Sequence, residues 1–153
     1  MDILQVYNNV EEIRFLLNSR DTFPNYSDFY CFLTQTMVKR NGRYNYPGLA
    51  MRCKNNTLVF FQYGGKLVAS AILLETVRGK CYDEVGNEYA GHYYFDMDTM
   101  VIYNSPITRE QIEAIDHTFP GFSQCKRKMD IALKGDLIDI VKGHSYTVVS
   151  SQL

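Results

Sequence analysis

Between Phe29 and Leu74 the chain contains no aspartate and no glutamate. Lys39, Arg40, Arg43, Arg52, Lys54 and Lys66 lie in that stretch, so it carries +6 in a protein whose net charge is −1. The acids sit elsewhere: residues 75–120 hold nine acidic and three basic residues, and residues 1–28 hold five and two. The near-neutral total hides a bipolar chain, and net charge argues neither for nor against a polyanionic partner. Other absences exclude more. No apolar run approaches the ~20 residues needed to cross a membrane as a helix. The start, Met1-Asp2-Ile3-Leu4, has neither a basic n-region nor a long apolar h-region, so no secretory signal is expected. There is no G-x-x-x-x-G-K-S/T and no G-x-G-x-x-G, which sets aside P-loop hydrolysis and dinucleotide binding. Cys31, Cys53, Cys81 and Cys125 have no C-x-x-C spacing and no histidines at zinc-finger distances. They read as isolated reduced thiols, and a cytoplasmic location is the expectation.

What is present is an ordinary globular composition, 46% hydrophobic and 22% charged over 153 residues. That length points to a single domain, 1–153, able to bury roughly 70% of the surface its unfolded chain exposes. Residues 1–44 read as a helical N-terminal segment. Asn9 has a glutamate three positions on, as in a capping box, and Val10, Ile13, Leu16 and Leu17 follow at helical spacing. A second helix is predicted from Ser27 as N-cap, with Phe29, Phe32, Leu33 and Met37 on one face, ending at Asn41-Gly42.

From Tyr46 the period changes. Thr57–Tyr63 is β-branched and aromatic, Gly64-Gly65 is a two-residue hairpin signal, and Leu67–Leu74 returns as a strand with apolar residues on both faces. Val77–Ala90 reads as a second hairpin or an ordered loop. His92–Asp96 and Met100–Tyr103 are further strands, and Asn104-Ser105-Pro106 is expected to turn the chain. Thr108-Arg109-Glu110-Gln111 is a capping-box pattern opening a helix that Phe119-Pro120-Gly121 stops. Residues 122–134 are ambiguous, Gly135-Asp136 could cap a short helix, and Tyr146–Val149 is a last strand. This order is α+β, without β-α-β alternation. A small, mostly antiparallel β-barrel over 45–153, decorated by helices, fits it, because closure removes exposed sheet edges.

The run Asn56-Thr57-Leu58-Val59-Phe60-Phe61-Gln62-Tyr63, its glycine turn and Lys66-Leu67-Val68-Ala69-Ser70-Ala71 resemble the core hairpin of PUA-like barrels, in particular the EVE and ASCH branches. Tyr94-Phe95-Asp96, the helix start at Pro106-Ile107-Thr108 and the terminal strand are similar in order. The resemblance covers about residues 45–150. It implies a nucleic-acid binder, one that accepts an unstacked or modified base in an aromatic pocket. EVE-type modules often place a tryptophan near that pocket. This chain has none, so tyrosines would take its place.

Candidate site residues follow from charge interleaved with flat rings, a pattern suited to phosphates and stacked bases. Lys39, Arg40, Arg43 and Arg52, with Tyr44 and Tyr46 on one side of an extended segment, form one group. These rings either stack on bases or pack over the barrel end. Lys126-Arg127-Lys128 forms the other group, as phosphate contacts or as a solvated turn. Of Tyr93-Tyr94-Phe95 one face is core and the other could line a pocket. Asp96 and Asp98 could share a Mg²⁺ ion, but no further acid or lysine stands nearby in a recognised pattern, so they read as turn acids. His92, His117 and His144 are isolated.

The leading expectation is a non-enzymatic module that binds DNA or RNA in a groove joining residues 39–54 to 126–128. No catalytic residue, metal or cofactor is expected. The first alternative is a protein–protein adaptor or inhibitor, for example in phage–host conflict, whose interface would use the twelve tyrosines and nine phenylalanines. The second is a small metal-dependent nuclease or hydrolase using Asp96 and Asp98.

Overall fold

The structure, a computed structural model, describes residues 2–122 and 126–152. Chain order gives α1 (Ile3–Asn8), β1 (Ile13–Leu17), α2 (Tyr26–Cys31), a π-helical turn (Phe32–Thr36) running into α3 (Met37–Lys39), and β2 (Arg43–Tyr46). Then come β3 (Thr57–Tyr63), β4 (Lys66–Tyr82), β5 (Glu88–Thr108), α4 (Arg109–Ile115), β6 (Lys126–Met129), α5 (Lys134–Lys142) and β7 (Tyr146–Val148). The protein is α+β. Among the described residues its sheet has seven strands in the order β2-β5-β4-β3-β1-β6, with β7 also on β5. β1 and β3 are parallel and the other pairs antiparallel.

The expected barrel closure is not seen: β2 and β6 end the path and do not pair with each other. Exposed edges are limited in another way, because each of these end strands has only four residues. The β3–β4 hairpin is as expected. Gly64 and Gly65 have φ of 61° and 75°, and positive φ at both central residues is what a type I′ turn requires.

The first predicted helix is a strand. Val10, Ile13, Leu16 and Leu17 match a helical period, yet Ile13–Leu17 lies between β3 and β6. Around Arg14 the apolar residues of this segment fall on both faces of the sheet, Ile13 and Phe15 on one and Leu16 on the other, so no single period tells strand from helix. The helix lies earlier, at α1, where the Asp2 side chain accepts from the Leu4 and Gln5 amides. The cap of α2 is Asn25, two residues before Ser27; its side chain accepts from the Asp28 amide at 3.0 Å.

Asn104-Ser105-Pro106 does not turn the chain. β5 runs through it, and the ladder jumps from Ala69↔Ile102 to Leu67↔Ile107, leaving Pro106 in a bulge where no amide is needed. A second jump, from Ser70↔Val101 to Ile72↔Asp96, sets residues 97–100 in another bulge. α4 begins at the expected capping box on Thr108 but ends at Ile115, before Phe119-Pro120-Gly121. The basic triplet Lys126-Arg127-Lys128 lies wholly within β6, so it is part of a strand and not a solvated turn. The last helix starts at Lys134, after a 3-10 turn capped by Asp130.

Both faces of the sheet are buried. Ile13, Leu58, Phe60, Val101 and Tyr103 pack with Tyr7 of α1, Ile112 of α4 and Leu137 and Val141 of α5. Leu16, Val59, Phe61, Leu73 and Phe95 pack on the other face with Phe29, Leu33 and Met37 from the segment of α2 to α3. Cys31, Cys53 and Cys81 are unbridged; Cys125 lies outside the described residues. Among the described residues, no helix is long and apolar enough to cross a membrane.

Candidate functional site

The site is built where α3 gives way to β2. Asn41 and Gly42 both have positive φ, 55° and 91°, and the Gly42 amide donates to Met37 O at 2.8 Å. This ends the helix as expected. Gly42 is required for a second reason. A Cβ there would lie 2.0 Å from Phe95 O, the strand against which β2 starts.

β2 then alternates. Tyr44 and Tyr46 share one side, as their spacing predicts, and that side is the core. The Tyr44 hydroxyl donates to Asn18 Oδ1 at 2.5 Å. Its ring packs among Phe32, Phe61, Tyr93 and Phe95, with centroids 5.8–6.2 Å away. Burial, then the neighbouring Tyr93 phenol, holds its pKa above the usual phenol range. Tyr46 stacks on Tyr93 at 4.7 Å and is 5% exposed. The packing alternative, not base stacking, describes both rings. Of the 93–95 cluster, Tyr93 and Phe95 are core; Tyr94 is half-buried and meets His92 edge to face at 4.9 Å.

Arg43 and Asn45 take the other side of β2. Both Asn45 amide atoms and Arg43 Nε are buried with no hydrogen-bond partner among the described residues. Asn45 borders a cavity of about 340 Å³ walled by Phe23, Phe32, Tyr44 and Tyr89, with Asn18 and Arg40 beside it. Asn18 is fully engaged: it accepts from Tyr44, and its amide donates to Leu16 O at 3.1 Å and Gln62 O at 3.2 Å. The polar group without a partner here is Asn45. Sequence reading passed over it, although it stands between the two tyrosines it singled out. Strand alternation was the signal that could have found it.

Arg40 and Arg43 meet a carboxylate rather than open solvent. Glu84, in the turn between β4 and β5, accepts from Arg40 Nε at 2.9 Å, Arg40 Nη2 at 2.6 Å and Arg43 Nη2 at 3.1 Å. The Arg40 hydrogen bonds hold the Glu84 carboxyl below its usual range. Lys39 is exposed and makes no ion pair among the described residues.

A second cleft, of about 330 Å³, lies past Pro47. It is lined by Tyr46, Leu49, Arg52 and Arg78. Both arginines are exposed, and neither forms an ion pair among the described residues. The two predicted basic groups converge here in part. Lys126 Nζ donates to Leu49 O, and Arg14 donates to the carbonyls of Arg52 at 2.6 Å and Lys126 at 3.2 Å. Arg78 lay outside the charged block and no sequence signal marked it. Arg127 and Lys128 point to a different cavity, of about 700 Å³, where they face Asp116 at 3.6 Å and Glu12 at 3.5 Å. The triplet therefore divides: Lys126 joins Arg52, while its neighbours are neutralised by acids.

Asp96 and Asp98 shape the second bulge. Asp96 Oδ1 accepts from the Asp98 amide at 3.0 Å, and Asp96 O accepts from Thr99 Oγ1 at 2.7 Å. Among the described residues, no group of three or more His, Cys, Asp or Glu could hold a metal ion. His92 lies 3.5 Å from Cys81 Sγ, and burial, then Arg43, lowers its pKa.

No protein-family model and no curated protein matches the chain. Among solved structures, protein Atu2648 from Agrobacterium tumefaciens is similar at a TM-score of 0.47 and 8% identity, over 86% of this chain and 92% of that one. A likeness at that level establishes neither a shared fold nor a shared function.

Proposed function

We propose that the protein is a non-enzymatic nucleic-acid-binding module that takes one unstacked base into the pocket beside Asn45. The observation that carries this reading is the Asn45 amide, a buried donor and acceptor side by side with no partner among the described residues, at an aromatic-walled cavity. Leaving such groups unpaired in the protein costs about 1–3 kcal/mol, a loss that a ligand presenting an acceptor next to a donor recovers. Base edges present such pairs, and asparagine engages them in bidentate fashion. Arg52, Arg78 and Lys126 supply positive charge one cleft away for the backbone, with Lys39 at the end of α3. Kinship with the PUA-like family belongs to the same proposal. Its support is the Thr57–Ala71 hairpin and the capping box at Thr108.

The test is a titration of single-stranded DNA and RNA oligonucleotides against the full chain at several salt concentrations. The affinity should fall with salt, and Arg52→Gln and Arg78→Gln should each reduce the log–log slope by about one. Asn45→Ala should weaken binding by about 1–3 kcal/mol while leaving that slope unchanged. Absence of binding to either polymer at low salt overturns the reading. A protein partner is the second reading. Leu49 and Val85, 82% and 81% exposed at loop tips, favour it as apolar contact points.

A further inference from the structure

The Glu84 contact has the form of an occupied anion site. One carboxylate receives two hydrogen bonds from Arg40 and a third from Arg43, the forked geometry by which arginine also grips phosphate. The occupant comes from the protein itself, on a turn whose tip is tied by hydrogen bonds to Asp83. The Asp83 side chain accepts from the Val85 amide at 3.0 Å, the Asn87 amide at 2.9 Å and Asn87 Nδ2 at 3.0 Å. Behind that tip the ladder between β4 and β5 is irregular between Arg78 and Cys81.

Two further observations separate this contact from a plain surface ion pair. First, Glu84 leaves the site incomplete: among the described residues Arg43 Nε stays buried without a partner, as do both amide atoms of Asn45 two residues along the same side of β2. Second, Arg40 lines the aromatic cavity as well as binding Glu84. Anion site and pocket therefore share a residue. The Glu84 side chain is 59% exposed while those of Arg40 and Arg43 are 15% and 27% exposed, so the carboxylate can leave into solvent while the two arginines stay held by the fold.

We propose that Arg40 and Arg43 form a phosphate-binding site and that Glu84 occupies it as an internal competitor until a phosphate displaces it. The nucleic-acid part of this inference rests on the function proposed above; the anion site does not. A phosphate on the two arginines would sit beside the pocket mouth, with Asn45 reading the attached base. Glu84 sets a threshold for binding: a lone anion binds more weakly because it must displace a tethered carboxylate, whereas a phosphate whose base also fills the pocket gains further contacts that offset this.

The experiment uses the full-length chain and its Glu84→Gln, Glu84→Ala and Glu84→Gln/Arg40→Gln variants, with inorganic phosphate and a single-stranded oligonucleotide as separate probes. Thermal melting confirms that each variant is folded. Calorimetry should show phosphate binding about fivefold or more tighter to Glu84→Gln than to wild type, the lower end of a usual coupling between two ligands of one site. Glu84→Ala should behave alike, and the double variant should lose the gain. Oligonucleotide affinity should rise in the same two single variants. Should phosphate bind more tightly but no variant bind the oligonucleotide, the anion site stands and the nucleic-acid function falls. Should removing the Glu84 charge leave phosphate affinity at the wild-type value in both folded variants, the competitor role is overturned.

Discussion

Two buried polar regions of this protein are finished in opposite ways. Under the α1 side of the sheet, the Tyr7 hydroxyl meets Ser70 Oγ at 2.8 Å and donates to Thr99 O at 2.8 Å. Ser70 Oγ in turn meets the Tyr103 hydroxyl at 2.8 Å, and Thr99 Oγ1 accepts from the Ile72 amide at 2.8 Å. Every side-chain group in this network has a partner. On the outer side of β2, Arg43 Nε and both amide atoms of Asn45 have none among the described residues. Both regions use a few polar groups in an apolar setting, where an unmet hydrogen bond is expensive. The complete network ties α1 to β4 and β5 and is structure. The incomplete one retains unmet bonding capacity beside a cavity, which is what a binding site needs.

The largest expected effect lies at the boundary between the two roles. Tyr44 borders the pocket, yet its ring packs in the core. Tyr44→Ala should cost about 3–5 kcal/mol of stability, on the scale of aromatic truncations in cores. Tyr44→Phe should cost less, through the hydrogen bond lost at Asn18. Chemical denaturation of both variants checks this. A drop in nucleic-acid affinity for Tyr44→Ala without loss of stability would return the ring to a stacking role.

Alkaline pH comes next, because its effect adds over several phenols. Burial raises the pKa of Tyr7, Tyr44 and Tyr103 and pushes Tyr93 up to about 12. The unfolded chain ionises its tyrosines near pH ~10, so it loses protons first. The stabilisation is complete below that pH and is lost as pH rises toward the folded values. Thermal melts from neutral to strongly alkaline pH should show a falling Tm. Repeating them with Tyr103→Phe and Tyr44→Phe apportions the fall between the two regions.

The direct contrast is Tyr103→Phe against Asn45→Leu. Tyr103→Phe breaks the complete network and should cost about 1–3 kcal/mol, since Ser70 loses a buried partner. Asn45→Leu removes groups that had no partner, so stability should hold or rise while oligonucleotide affinity falls. If Asn45→Leu destabilises as much as Tyr103→Phe, the amide has a structural partner and the contrast fails. The smallest effect is at Lys54, which pairs with Glu11 at 3.6 Å between side chains 70% and 80% exposed. Lys54→Ala should change stability by under about 1 kcal/mol, which sets the baseline for the other variants.

Features that depend on neighbours in the chain were legible in the sequence. The Gly64-Gly65 turn, the capping box at Thr108, the Asn41-Gly42 helix end and the shared side of Tyr44 and Tyr46 all follow from local φ preferences, caps and strand alternation. The α+β class follows from their order. What those residues face was decided by the fold. Ile13–Leu17 became a strand because β3 and β6 flank it, and Tyr44 turned inward because α2 and α3 cover that side of the sheet. The six positive charges of the 29–74 block were plain, but Glu84 lies 41 residues from Arg43, and only the return of the β4–β5 hairpin brings it within 3.1 Å. Arg52 and Lys126, 74 positions apart, converge because Arg14 on β1 holds both backbones. Composition records how much charge and aromatic area a chain carries. Pairing across distant segments determines which charges are cancelled, which rings are buried and which polar atoms are left without a partner.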